Sequence, residues 1–183
     1  LLMDLARNPL RCPEPEIRLL DFGCGTGNMI RILQALGFSG RIEGCDVSEA
    51  MLAEAAGRWD SPAVPPLHLC TIDQTPFPSH SFDLIIASSV FHHIAPHLRE
   101  IVLAEIDRII RPEGRFVVFE HNPRNPLTRY VVSRTPIDKD AVLLTSLEMT
   151  EAMKGLGFVG LRTHYLMFFP PILAPFRRLE RFL

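Results

Sequence analysis

Apolar and polar positions change period several times along the chain. Ile17 to Phe22 is a short, nearly unbroken apolar run that stops at Gly23, which predicts a buried strand. Asn28 to Leu36 then places Met29, Ile32, Leu33 and Leu36 at helical spacing, and Gly37 supplies the stop. Arg41 to Val47 is a second strand. Ser48 is an N-cap for a helix through Met51, Leu52 and Ala55, ended by Gly57. Val64 to Thr71 is a third strand. Phe82 to Ser88 is a fourth, with Leu84-Ile85-Ile86-Ala87 apolar at every position, as strands covered on both faces are. His97 to Ile110 is an amphipathic helix closed by Pro112 and Gly114, and Arg115 to Glu120 is a fifth strand. Alternation of this kind predicts an α/β fold: a doubly wound, mostly parallel sheet of six or seven strands with helices on both faces.

After Glu120 the rhythm breaks. His121 to Thr145 is a Pro- and Asn-bearing stretch, followed by a helix over Leu147 to Leu156 and a strand from Phe158 to about Phe168. At 183 residues the chain is expected to be one domain. Residues 17–121 form its core, 122–146 a substrate-side insertion, and 147–183 a C-terminal helix, strand and apolar tail. Nineteen basic against 21 acidic residues give a net charge of −2, too balanced for a protein that grips nucleic acid through its phosphates. The cysteines never form a CxxC pair and read as reduced residues of a cytoplasmic protein. No apolar run is long enough for a membrane span. Both ends read as truncated.

The sharpest chemical signal is Asp21-Phe22-Gly23-Cys24-Gly25-Thr26-Gly27-Asn28, at the junction of the first strand and the first helix. Glycines there let the chain turn tightly and let a ligand approach main-chain N–H groups. The spacing is G-x-G-x-G, one residue shorter than the dinucleotide pattern G-x-G-x-x-G. Asp46 ends the second strand about 20 residues on, where an acid accepts hydrogen bonds from ribose hydroxyls.

On these residues the stretch Ile17 to His121 resembles the class I S-adenosylmethionine-dependent methyltransferases of Rossmann-like fold, in their bacterial small-molecule type. The resemblance implies S-adenosyl-L-methionine as cofactor and S-adenosylhomocysteine as product. Asp21, Gly23, Cys24, Gly25, Gly27 and Asn28 match the family's loop. In Cys45-Asp46-Val47-Ser48, Asp46 would hold the ribose and Val47 would pack on the adenine, with Ser48 beside them. Ser88 falls where members contact the methionine part. Arg108 to Gly114 matches the R-x-L-x-P-G-G turn, with Glu113 in place of a glycine. One departure concerns the acid that many members carry after strand three. Its place holds Thr71 and Ile72, so either the loop shifts to bring Asp73 to the adenine, or Thr71 and main chain do the work.

Methyl transfer to oxygen or nitrogen needs alignment and a proton acceptor. His93 and His121 follow the fourth and fifth strands and are candidate bases; His92 is a candidate substrate contact. No metal is expected, because Pro96 separates His93 from His97 and no carboxylate completes a shell. Asn122, Arg124 and Arg129 are placed to recognise a polar acceptor, and the segment resembles a subset of bacterial methyltransferases with "EHNP-x-NPLTR". The acceptor pocket is expected between Ser88–His93 and His121–Arg129.

The function so read is methyl transfer to an oxygen, nitrogen or carbon of a small-molecule or lipid-like acceptor. The competing readings are an NAD-binding oxidoreductase and a non-catalytic cofactor-binding module. The tail 165–183 mixes Phe and Leu with Arg177, Arg178 and Arg181. It is read as packing on the sheet, as a peripheral membrane contact, or as a homodimer contact.

Overall fold

The computed structural model describes residues 13–59 and 64–165. They fall into two compact units that part between Glu120 and His121.

The first unit is built on five parallel strands: β1 (Arg18–Phe22), β2 (Arg41–Asp46), β3 (Leu67–Leu69), β4 (Phe82–Ser88) and β5 (Ile110–Phe119). Their order is β3-β2-β1-β4-β5. The sheet winds outward from β1 in one direction and from β4 in the other, so the switch point lies between those two strands. Helices α1 (Asn28–Ala35), α2 (Glu49–Ala56) and α3 (Arg99–Ile109) make the crossovers. One face of the sheet, carrying Ile17, Leu19, Ile42, Leu84 and Ile86, packs with Ile30 and Leu33 of α1 and Leu52 of α2. Leu20 and Ile85 point the other way by strand alternation and are equally inaccessible. This two-sided burial explains why β1 and β4 are apolar without a break.

The α/β, doubly wound class stands, but the described residues hold five strands rather than six or seven. Three differences have local causes. β3 begins only at Leu67, because Pro65 and Pro66 have no N–H for the ladder. β5 begins at Ile110, ahead of the expected start. Phe82 pairs with Ile110 but Leu84 with Arg115, so Arg111–Gly114 bulges out of the strand rather than preceding it. Residues 158–165 form no strand. Gly157 and Gly160 have φ of 88° and 67°, which breaks an extended run, and Val159 between them is almost fully exposed. The tail beyond Tyr165, with its expected helix and membrane or dimer contact, lies outside the described residues.

The second unit holds α4 (Pro126–Arg134), a short 3-10 turn at Pro136–Asp138, and α5 (Ser146–Gly155). Asn125 caps α4 by accepting from the N–H groups of Leu127 and Thr128 at 3.0 and 3.4 Å, and Pro126 starts the helix. α5 opens with a capping box. Thr145 Oγ1 accepts from the Glu148 N–H, and the Glu148 carboxylate accepts from the Thr145 N–H at 2.6 Å. Val132, Leu144, Met149 and Met153 are its buried apolar residues among those described.

Candidate functional site

The parallel register brings the C-terminal ends of the strands to one edge. Phe22 stands beside Cys45 and Ala87, Asp46 beside Leu69, and Ser88 beside Phe119. The glycine turn leaves β1 at this edge. Gly23, Gly25 and Gly27 have φ of 68°, 51° and 76°, a region that L side chains avoid. The three do different things. A Cβ at Gly23 would meet Val90 Cγ2 at 2.6 Å, and one at Gly27 would meet the Trp59 ring at the same distance. A Cβ at Gly25 would meet nothing within 4 Å. Gly23 and Gly27 therefore serve packing, while the backbone at Gly25 faces open space.

Asp46 organises this turn. Its Oδ2 accepts from the Gly25 N–H at 2.8 Å and its Oδ1 from the Ser48 N–H at 2.9 Å. Each oxygen keeps lone-pair capacity for a further donor. Ser48 caps α2 through Oγ, which accepts from the Met51 N–H. Asn28 opens α1, but its Oδ1 accepts from Arg58. Gly27 offers no side-chain cap, so among the described residues the N-terminus of α1 has no capping side chain. Trp59 lies behind Gly27 and donates Nε1–H to Gln34 Oε1.

Asp21 lies beneath the turn, 1 % exposed, and its Oδ2 has no hydrogen-bond partner among the described residues. Burial pushes its carboxyl up to about 8, and the charge of Asp46 adds to the rise. Cys24, at the turn itself, is pushed up to about 12 by burial, with Asp21 and Asp46 adding to the effect, and stays a thiol.

Three exposed apolar side chains stand at the ends of β2 and β3: Val47, Leu69 and Ile72, at 59 %, 55 % and 38 % exposure. Beside them Thr71 Oγ1 donates to Asp73 Oδ1 at 2.8 Å, and the Thr71 N–H donates to the Gln74 carbonyl. Thr71 and Asp73 thus belong to one tight turn. The sequence reading missed what holds that turn's far end. Glu105, buried on α3, accepts from the N–H and Oγ1 of Thr75 at 2.7 and 2.6 Å and from Arg108 through Nε and Nη2. Arg108 also donates to the Phe77 carbonyl. The Glu105-x-x-Arg108 spacing was the available signal.

Glu120 plays the corresponding part after β4. Its Oε1 accepts from the N–H groups of Val90 and Phe91 at 3.0 and 2.7 Å, and its Oε2 lies 2.7 Å from His92 Nδ1. Ser89, at φ 59°, donates its N–H to the Phe119 carbonyl. His92 is buried and His93 exposed, the two rings 4.1 Å apart. Ser88 is half-buried at the end of β4. In the second unit His121 and Asn122 are half-buried, and Asn122 Oδ1 accepts from the Arg124 N–H; Arg124 and Arg129 are exposed.

A buried, unpartnered carboxylate, an open glycine turn, a ribose-competent acid and exposed apolar side chains fit a cofactor with an ammonium, a ribose and an adenine. Residues 20–118 match the family model described as "Methyltransferase domain". The chain belongs to that family and is of the class I S-adenosylmethionine-dependent type. The ubiquinone/menaquinone biosynthesis C-methyltransferase of Burkholderia vietnamiensis is 32 % identical over 109 residues, 58 % of this chain and 44 % of that protein. The chain thus matches under half the length of this curated relative. Among solved structures, Haemonchus contortus phosphoethanolamine N-methyltransferase 2 with S-adenosylmethionine superposes with a TM-score of 0.71 at 24 % identity, covering 98 % of this chain and 41 % of that one. A Haloferax volcanii putative methyltransferase, solved with the Trm112 activator, gives 0.68 at 23 % identity, covering 92 % and 76 %. These likenesses show the fold. The family match displaces the NAD-binding alternative.

Proposed function

We propose that the protein transfers a methyl group from S-adenosyl-L-methionine to a small-molecule or lipid-like acceptor. The observation that carries this is the glycine turn: Gly25 opens on free space, its N–H is held by Asp46, and the unpartnered Asp21 lies beneath. In this reading Asp46 holds the ribose, Val47 and Ile72 flank the adenine, and Thr71 and Asp73 face its edge. Ser88 and the turn from Gly23 to Asn28 receive the methionine part. When bound, the cofactor supplies an electrophilic methyl on a sulfonium.

His93 and His121 are the proposed bases, since a histidine accepts a proton near neutral pH. The Glu120 carboxylate, fastened to two main-chain N–H groups and to His92, fixes the turn that presents His93. Asn122, Arg124 and Arg129 supply donors for a polar or anionic acceptor. A carbon acceptor on a lipid-like ring is supported by the likeness to the C-methyltransferases of ubiquinone and menaquinone biosynthesis.

Calorimetry with S-adenosylhomocysteine and with NAD tests the cofactor; heat with the first alone is expected, and heat with NAD alone would overturn the reading. A screen of quinone-precursor, phenolic and amine acceptors with radiolabelled methyl donor tests the reaction. Cofactor binding with no transfer to any acceptor class would favour a non-catalytic module.

A further inference from the structure

We propose that Asp21 is a neutral acid in the free protein and gives its proton to solvent when the cofactor's α-ammonium binds. The inference rests on the cofactor reading above and adds a proton to its stoichiometry. Asp21 occupies the fourth position of β1, in register with Gly44 of β2 and Ile86 of β4. Neither partner carries a charge or a donor side chain. Gly44 has no room for one: a Cβ there would stand 2.9 Å from Cys24 Sγ and 3.0 Å from Ile30 and Leu67. The titratable groups that bear on Asp21 are Asp46 from β2 and Cys24 from the glycine turn. One is an acid and the other a thiol, so neither stabilises a carboxylate. Among the described residues no lysine, arginine or histidine reaches it, and its Oδ2 has no donor.

An isolated buried charge is far more costly than a buried neutral carboxyl, so the group keeps its proton until a cation arrives. Among the described residues the turn beyond Phe22 is open at Gly25, where an added Cβ would meet nothing within 4 Å. An ammonium entering there forms N–H···O⁻ hydrogen bonds. The carboxyl O–H bond breaks and its proton leaves to buffer. Protons thus compete with cofactor, and affinity falls as pH falls below about 8.

Calorimetric titration of the whole chain with S-adenosylhomocysteine in phosphate and in Tris tests this. The difference between the two heats is expected to show close to one proton released per binding event at pH 7. Affinity is expected to fall roughly fifteenfold between pH 8 and pH 6.5. Asp21→Asn should abolish both the release and the pH slope. Binding without proton release, or release that survives in Asp21→Asn, would overturn the proposal. Should that variant fail to fold, infrared difference spectra of the unaltered protein decide. Loss of a protonated-carboxyl band on binding supports the proposal, and an unchanged spectrum in that region overturns it. No binding at any pH would overturn the cofactor reading itself.

Discussion

The unit ending at Glu120 and the unit beginning at His121 hold their side chains in place by different means. In the first, Leu19, Leu20, Ile85 and Ile86 are wholly inaccessible, and long-range parallel ladders set their positions. In the second, order is local: an Asn cap, a capping box and a 3-10 turn. Its helices leave Leu127, Tyr130, Val131 and Leu147 about half exposed. A ladder fixes backbone atoms of distant segments against one another, which suits recognition of one unvarying cofactor. Locally capped helices with few buried contacts tolerate exchange of their exposed residues, as the acceptor surface proposed above would require.

The comparison is sharpest at fixed chemistry. Leu84 in β4 and Leu144 before α5 are both buried. Leu84→Ala should cost about 4–5 kcal/mol, because a two-sided sheet cannot collapse into the cavity, and Leu144→Ala about 2–3 kcal/mol. Equal losses in urea denaturation would break the contrast. Glu105→Ala should cost roughly 2–4 kcal/mol, since it strands Thr75 and Arg108 together. Partial burial raises the Glu105 carboxyl, but hydrogen bonds from Arg108 and Thr75 outweigh it and hold it below the usual carboxylate range. A group depressed in the folded state contributes stability above its unfolded value and loses it as pH falls through the folded one. The unaltered protein should thus lose this contribution on acidification, while Glu105→Ala shows a flatter acid limb in thermal melts.

Asp46→Ala should weaken S-adenosylhomocysteine binding by about 1–3 kcal/mol, measured by calorimetry, with a smaller change in stability. Unchanged affinity would remove Asp46 from the site. The smallest effect belongs to the second unit. Arg124→Ala and Arg129→Ala should each stay within about 0.5 kcal/mol of the parent in stability and leave cofactor affinity alone. Both should lower turnover once an acceptor is known. A loss of cofactor affinity in either would overturn the proposed assignment of Arg124 and Arg129 to the acceptor.

The sheet was legible where burial is two-sided. Apolar runs placed β1 and β4, and the glycines with Asp46 placed the turn and its acid. The stretch after Glu120 was not legible in the same way. Asn125-Pro126 is a helix start, but it sits in a segment whose prolines and asparagines read equally well as loop. The strand expected from Phe158 failed because Gly157 and Gly160 adopt positive φ, which an apolar pattern cannot report. Within the site, residue types announced Asp21 and Asp46 alike. Their opposite circumstances could not be read, because one carboxylate meets two N–H groups and the other meets none only after distant strands are aligned.

Trp59 is the chain's single tryptophan, and its indole lies against Gly27 of the glycine turn. The molecule therefore carries its own optical probe at the place where a ligand would first be felt. Its emission belongs to one known position, so a shift on adding a candidate ligand needs no label and no deconvolution. Arrival of a ligand at the glycine turn can be followed in stopped flow on the unaltered chain, and its rate separated from that of any later chemistry.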